Sequence, residues 1–175
     1  MIKAYFLMEN QDISVPLKIR DEVFVKEQGF SAELEHDDID ATAIHVVIED
    51  EDGPCGTGRL FYTDGGWHIG RMAVLKEKRG KKYGDLLVRM LVDKALNAGV
   101  EEIFVGAQLH AKGFYEKMGC LVCGEGYEEE GCPHVPMVLP AQRAIQILFS
   151  GCGGCGGGDC ESCEKNCGGK QPAID

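Results

Sequence analysis

Trp67-His-Ile-Gly-Arg-Met-Ala-Val-Leu-Lys-Glu-Lys-Arg-Gly-Lys-Lys-Tyr-Gly84 runs from an apolar, strand-like segment into a basic turn with two glycines, and the turn opens a helix. Beyond it, Leu86, Leu87, Met90, Leu91, Ala95 and Ala98 recur every three or four residues, with Asp85, Arg89, Asp93 and Asn97 on the other face. That spacing predicts an amphipathic helix closed by Gly99 in the position just past its end. Lys76, Lys78, Arg79, Lys81 and Lys82 crowd the start of this helix. There the unpaired N–H groups already carry about half a positive charge, so cations are disfavoured unless an anion joins them. Free amides, the helix dipole and nearby cations together make a phosphate site, with Gly80 and Gly84 letting backbone approach the ligand. The alternative is a solvated basic turn.

The rest of the chain makes that knot an exception. The 175 residues carry 18 Lys and Arg against 29 Asp and Glu, a net charge of −11, with a pI of about 4.9. A broad nucleic-acid surface needs an extended basic face, which this balance excludes; cationic or amine partners suit it. No apolar run approaches the roughly 20 residues of a membrane span, and the N-terminus lacks the apolar core of a signal peptide, so a cytoplasmic protein is expected. With 44% hydrophobic composition, the length suits one buried domain followed by a tail.

Working outward, residues 3–8 read as a strand and Val15–Glu27 as a helix, followed by an acidic, irregular stretch. Ala43–Asp50, Cys55–Thr63 and Trp67–Leu75 read as three antiparallel strands separated by turn residues. Glu102–Ala107 is a further strand, and Ala111–Met118 a short helix ended by Gly119. Cys120–Gly126 and Val135–Leu139 read as a final strand pair, and Ala141–Phe149 as a closing helix. This order predicts an α+β domain with a mixed, mostly antiparallel sheet of about seven strands flanked by helices.

With those elements placed, the chain resembles the GNAT superfamily of N-acetyltransferases. Arg79-Gly-Lys-Lys-Tyr-Gly84 is similar to the family's Arg/Gln-x-x-Gly-x-Gly/Ala pyrophosphate loop, and Ala111-Lys-Gly-Phe-Tyr-Glu-Lys-Met-Gly119 to its Ala-x-x-x-Tyr-x-x-x-Gly signature. Ile19–Gln28, Asp37–His45, Ala107–Ala111 and Pro133–Met137 resemble the ElaA-like branch. The resemblance covers residues 1–140. It implies acetyl-CoA as donor, its pyrophosphate on residues Arg79, Gly80, Lys81, Lys82, Tyr83, Gly84 and Asp85. The pantetheine arm would lie along Met72, Ala73 and Val74, where their strand splays from the 102–107 strand, with Gln108 as a further contact. Tyr115 would protonate the departing thiolate. The acceptor implied is an amine of a small molecule or peptide.

Two positions depart from the family pattern. Lys82 stands where the loop usually has its first glycine, and Gly70 where many relatives carry a glutamate base. The base is then sought among Glu27, Glu35, His45, His110 and His134, or a water held by one of them; a histidine has the ordinary pKa suited to the task. Glu33, Glu35, Asp37, Asp38 and Asp40 border the acceptor site in this family, and read either as a lure for a cationic amine or as a solvated acidic loop.

From residue 150 the composition turns to glycine and cysteine. Cys152, Cys155, Cys160, Cys163 and Cys167 include two Cys-x2-Cys pairs, a spacing suited to thiolate coordination of zinc or an iron–sulfur cluster. Redox-active dithiols and an unoccupied tail are the other readings. Two functions of other classes therefore stand beside the enzyme: a metal- or thiol-binding module on the same scaffold, and a non-catalytic acyl-CoA sensor.

Overall fold

The computed structural model describes residues 1–149. The elements follow in the order β1 (Lys3–Leu7), α1 (Ser14–Arg20), a π-helical continuation (Asp21–Glu27), α2 (Ala32–Glu35), a 3-10 turn (Asp38–Ala41), β2 (Ile44–Asp50), β3 (Gly53–Thr63) and β4 (Gly66–Val74). After these come α3 (Tyr83–Asn97), β5 (Glu102–Gln108), α4 (Lys112–Lys117), β6 (Leu121–Val122), β7 (Tyr127–Glu129), β8 (Cys132–Pro140) and α5 (Ala141–Phe149). The α+β architecture is the one expected, with eight strands where about seven were expected. Their order is β1-β2-β3-β4-β5-β8-β6, with β7 also on β8.

Alternation along the strands explains the layers. In β2, Val46 and Ile48 enter the core under α3, while Val47 between them joins Ile19, Val23, Phe24 and Ala73 under α1 on the opposite face. The α3 side is the larger core, with Leu87, Leu91 and Ala95 fully buried against it. α3 lies close to β3 over Gly56 and Gly58. A Cβ on Gly58 would stand 2.3 Å from the Met72 sulfur, and one on Gly56 2.9 Å from the Ala73 carbonyl oxygen.

Two expectations need correction. The expected helix Val15–Glu27 is α-helical only to Arg20; beyond it the turns widen, the Gln28 N–H reaching back five residues to the Val23 carbonyl at 3.1 Å. The expected strand Cys120–Gly126 is two short strands on β8, β6 opposite Met137–Val138 and β7 opposite Cys132–His134. Pro136, whose carbonyl faces that outer edge and accepts the Cys123 N–H at 3.0 Å, deprives β8 of a ladder donor there, between β6 and β7. No helix among the described residues is long and apolar enough to cross a membrane.

The feature that positions the site lies in β4. Thr57 opposes Ala73 and Arg59 opposes Gly70, so Arg71 and Met72 together face the single residue Gly58: a β-bulge, with Arg71 at φ 51°. On its other edge β4 pairs in parallel with β5 only from Trp67–Ile103 to Ile69–Val105. Beyond Ile69 the two strands part. A cleft opens between residues 70–74 and 106–108.

Candidate active site

The basic turn divides by function once folded. The Lys78 ammonium is buried, bonded to Asp50 at 2.8 Å and Asp52 at 2.7 Å, and Tyr83 turns its ring into the core and its hydroxyl to Asp50 at 3.2 Å. These contacts raise the Lys78 pKa and hold the Asp50 carboxyl well below its ordinary value. Arg79 makes a two-pronged ion pair with Glu27 at 2.8 and 2.7 Å, and its Nε donates to the Val74 carbonyl at 3.1 Å. The side chains of Lys78, Arg79 and Tyr83 thus brace the turn from within, and Asp85 pairs with Arg89 at 2.7 Å. Facing outward are Gly80, Lys81 and Lys82, all exposed. No side chain caps α3, whose first intrahelical bond is from the Leu86 N–H to the Lys82 carbonyl. The N–H groups of Tyr83, Gly84 and Asp85 are thereby left without intrahelical partners, and they fit an anion.

Lys82 has φ 60° and ψ 25°, the left-handed conformation that glycine adopts freely. For a residue with a Cβ that costs about 1–2 kcal/mol. The turn therefore does require the geometry its usual glycine supplies, and lysine is held in it by the surrounding structure.

A cavity of about 360 Å³ lies at the parting of β4 and β5. Gly70, Arg71 and Met72 of the bulge form one wall; Gly106, Gln108, Ala111 and Tyr115 form the facing one. Phe24, Phe30 and Leu34 close it from the α1 side, and Glu129, Glu130 and His134 from the β7–β8 hairpin. Gln108 is held across the cavity by Gln28, amide to amide, at 2.9 Å. A Cβ on Gly70 would sit 3.1 Å from the Phe61 ring. A carboxylate built from that position has no room without a shift of Phe61, so proton acceptance has to come from elsewhere in the wall.

Of the five base candidates, the fold brings His134 and Glu35 to the cavity. His134 is buried, stacked on Tyr127 with ring centroids 5.4 Å apart, and its Nδ1 lies 2.8 Å from the Cys132 carbonyl oxygen. A carbonyl only accepts, so Nδ1 carries the hydrogen and Nε2 keeps a free lone pair in the neutral ring. Glu35 is buried between guanidiniums of Arg20 and Arg71; burial pushes its carboxyl up against their pull. Glu27 departs from its expected role, because Arg79 holds its carboxyl below the ordinary range and makes it a poor proton acceptor. His45 is buried, its Nε2 3.1 Å from the Asp40 carbonyl oxygen, and burial lowers its pKa. His45 and His110 do not line the cavity. Tyr115 lines it beside Phe114, and burial raises the phenol far above its ordinary pKa.

Glu33 and Asp38 of the acidic stretch are exposed, as a solvated loop implies, and the reading needs correction at Glu35, Asp37 and Asp40. Arg59 grips Asp37 and Asp40 at 2.6 Å, Arg20 grips Asp40 at 2.6 Å and also donates to the Glu35 carbonyl, and Arg71 donates to the Leu34 carbonyl at 3.0 Å. These three carboxylates are matched by arginines, and they lock α2 and the 3-10 turn to the sheet. Arg71 and the Phe24–Phe30 pair were missed as wall residues. An arginine between Gly70 and Met72 in an apolar strand was the available signal for the first.

Cys152, Cys155, Cys160, Cys163 and Cys167, with the metal site expected on them, lie outside the described residues. Among the described residues no group of His, Cys, Asp or Glu is arranged to hold a metal ion.

Comparison with known proteins agrees with this geometry. Residues 9–141 match the acetyltransferase (GNAT) domain family. The chain is 33% identical over 138 residues to the uncharacterised N-acetyltransferase YjcF of Bacillus subtilis, a match covering 78% of this chain and 99% of YjcF. It is 30% identical over 135 residues to ElaA of Escherichia coli, covering 74% and 86% of the two. The crystal structure of Escherichia coli ElaA superposes with a TM-score of 0.71, covering 79% of this chain and 99% of ElaA. A GNAT acetyltransferase from Elizabethkingia anophelis with acetyl-CoA bound shares the fold at 16% identity and a TM-score of 0.61, covering 79% and 97%.

Proposed function

This chain belongs to the GNAT acetyltransferase family, and we propose that it moves the acetyl group of acetyl-CoA, by direct attack in a ternary complex, to an amine of a small molecule or peptide held in the cavity. The pyrophosphate is taken by the N–H groups of residues 80–85, with Lys81 and Lys82 as exposed cations beside them. The pantetheine arm enters the cleft along Met72, Ala73 and Val74, whose β5-facing edge carries no strand partner after Ile69. Gln108 must then exchange its bond with Gln28 for one to the arm. A cytoplasmic setting suits the thiols of Cys55, Cys120 and Cys123, which are unpaired among the described residues.

The reaction needs a neutral amine, a stabilised oxyanion and a proton for sulfur. The amine nitrogen attacks the thioester carbon, a C–N bond forms, and the C–S bond breaks with its electron pair leaving on sulfur. His134 Nε2 takes the proton that nitrogen loses. Backbone N–H groups at the bulge face the developing oxyanion, and Tyr115 donates a hydrogen bond, and finally a proton, to the thiolate. The raised pKa of Tyr115 keeps it protonated at every working pH while making it a reluctant acid, so its share of the rate is the smaller one.

The observation that carries this reading is the His134 ring, oriented by the Cys132 carbonyl in the cavity that Tyr115 also lines. The test is formation of acetylated product, read by mass, with His134→Ala and Tyr115→Phe. His134→Ala should lower kcat/KM at pH 7 by about 10²–10³, and Tyr115→Phe by about tenfold. The His134→Ala deficit should shrink as pH rises toward the amine's own pKa, where the acceptor arrives already deprotonated. An unchanged rate, or a deficit constant with pH, removes His134 as the base.

A further inference from the structure

Which amine the cavity takes follows from what its polar groups are already doing, on the premise that acetyl transfer occurs there. Glu35 and Arg71 are matched within the ion-pair network, and Gln108 is engaged by Gln28. His134 and Tyr115 face the chemistry. The charge left over is on the β7–β8 hairpin. Glu130 uses one carboxylate oxygen to accept the Ser31 N–H at 3.1 Å, joining the hairpin to the α2 segment across the mouth of the cavity. Glu129 beside it is exposed and has no ion-pair partner among the described residues. The other side of the cavity is hydrocarbon: the Phe24 and Phe30 rings lie parallel, 6.2 Å apart, and Leu34 continues the surface, standing 61% exposed at the rim.

We propose that the acceptor is a primary monoamine with an aromatic or alkyl body, its ammonium drawn in past Glu129 and Glu130 and its body seated on Phe24, Phe30 and Leu34. Unmatched negative charge at a mouth attracts a cation and raises its local concentration, most strongly at low ionic strength. A single such cluster suits one ammonium. A polyamine needs carboxylates spaced along its length, and an aminosugar needs polar partners for each hydroxyl; left facing Phe24, Phe30 and Leu34, those groups lose water without replacement. A hydrocarbon body gains there from burial.

The full chain is assayed with acetyl-CoA against phenethylamine, hexylamine, spermidine, glucosamine and a lysine-containing peptide, with acetyl-CoA binding measured separately by calorimetry. Phenethylamine and hexylamine are expected to show kcat/KM values at least about tenfold above the other three, the contrast that one well-buried apolar side chain supplies. Glu129→Gln combined with Glu130→Gln should raise KM for phenethylamine about five- to tenfold with kcat little changed, an effect that fades at high salt. Leu34→Ser should raise KM for hexylamine and leave glucosamine unaffected. Acetyl-CoA binding should be unaltered in these variants, which separates lost recognition from lost folding. Preference for spermidine, glucosamine or the peptide, or an unmoved KM in the Glu129/Glu130 variant, overturns the assignment while leaving acetyl transfer standing. Failure to bind acetyl-CoA, or binding without any acetylated product, overturns the transfer reading itself and the assignment with it.

Discussion

The acidic run from Glu33 to Asp40 and the basic run from Lys76 to Lys82 meet their surroundings in opposite ways. Glu35, Asp37 and Asp40 are withdrawn from water onto Arg20, Arg59 and Arg71, so positive and negative charge balance within the wall. In the basic run only Lys78 and Arg79 are withdrawn, onto Asp50, Asp52 and Glu27, and Lys76, Lys81 and Lys82 stay at the surface. The first run is structural and leaves the cavity its apolar character. The second is a structural half and an exposed half, in which Lys81 keeps only a 3.9 Å contact with Asp50, and this exposed half is the one the proposed phosphate site draws on. A like-charged run thus takes its role from where its counter-charges lie in space.

The largest effect expected from breaking this contrast is on the acidic side. Arg20→Leu leaves Glu35 and Asp40 short of a buried counter-charge and should cost about 3–5 kcal/mol of stability, read as a lowered urea midpoint. The equivalent cut on the outward basic side, Lys81→Ala, should leave the midpoint within about 0.5 kcal/mol and weaken acetyl-CoA binding instead. A loss of stability from Lys81→Ala equal to that from Arg20→Leu would erase the distinction.

Acid should unfold the protein in two stages. His45 is buried with a lowered pKa, so as pH falls through about 6.5 the unfolded chain takes up a proton that the folded chain resists, and stability begins to decline there. Asp37 and Asp40 are held below their ordinary values; their contribution is present above about pH 4 and is lost as pH falls through their folded-state pKa values. Urea midpoints measured from pH 8 to pH 3 should show both declines, and His45→Gln should shrink the upper one, the remainder coming from His68, whose pKa burial also lowers. A flat profile between pH 7 and pH 5 in the parent protein contradicts the first stage.

The smallest effect sharpens the basic side. Lys82→Gly relieves the left-handed strain while widening the freedom of the unfolded chain, for a net gain of up to about 1 kcal/mol in stability. The same change removes an exposed ammonium, so acetyl-CoA should bind a few-fold more weakly at low salt and equally well at high salt. Tighter binding by the glycine variant at every salt concentration would mean that the lysine side chain contributes nothing to the anion.

Much of this frame is written locally. The 3.6-residue recurrence of Leu87, Leu91 and Ala95 marks α3, and the alternation of Val46, Val47 and Ile48 marks β2, because each pattern repeats within a few residues of itself. Segment 120–129 was less legible, since its break into β6 and β7 depends on Pro136 in another strand. The widened turns at Asp21–Glu27 leave no periodic signature distinct from an α-helix over so few residues. Among the site residues, Tyr115 and the turn 79–85 were readable from local motifs. His134 was readable only as one histidine among several, and its selection needed the Cys132 carbonyl and the cavity wall.

By itself the sequence determined the strand, the basic turn and the helix from Trp67 to Asn97, because those depend on dihedral preferences and spacings between near neighbours, while the left-handed conformation of Lys82 is seen only in the folded chain. Only the tertiary structure decided that Glu35, Asp37 and Asp40 of the acidic run are neutralised, that Arg79 braces Glu27 instead of standing free, and that His134 lines the same cavity as Tyr115. Each of those depends on groups brought together from distant parts of the chain, and electrostatics follows distance in space.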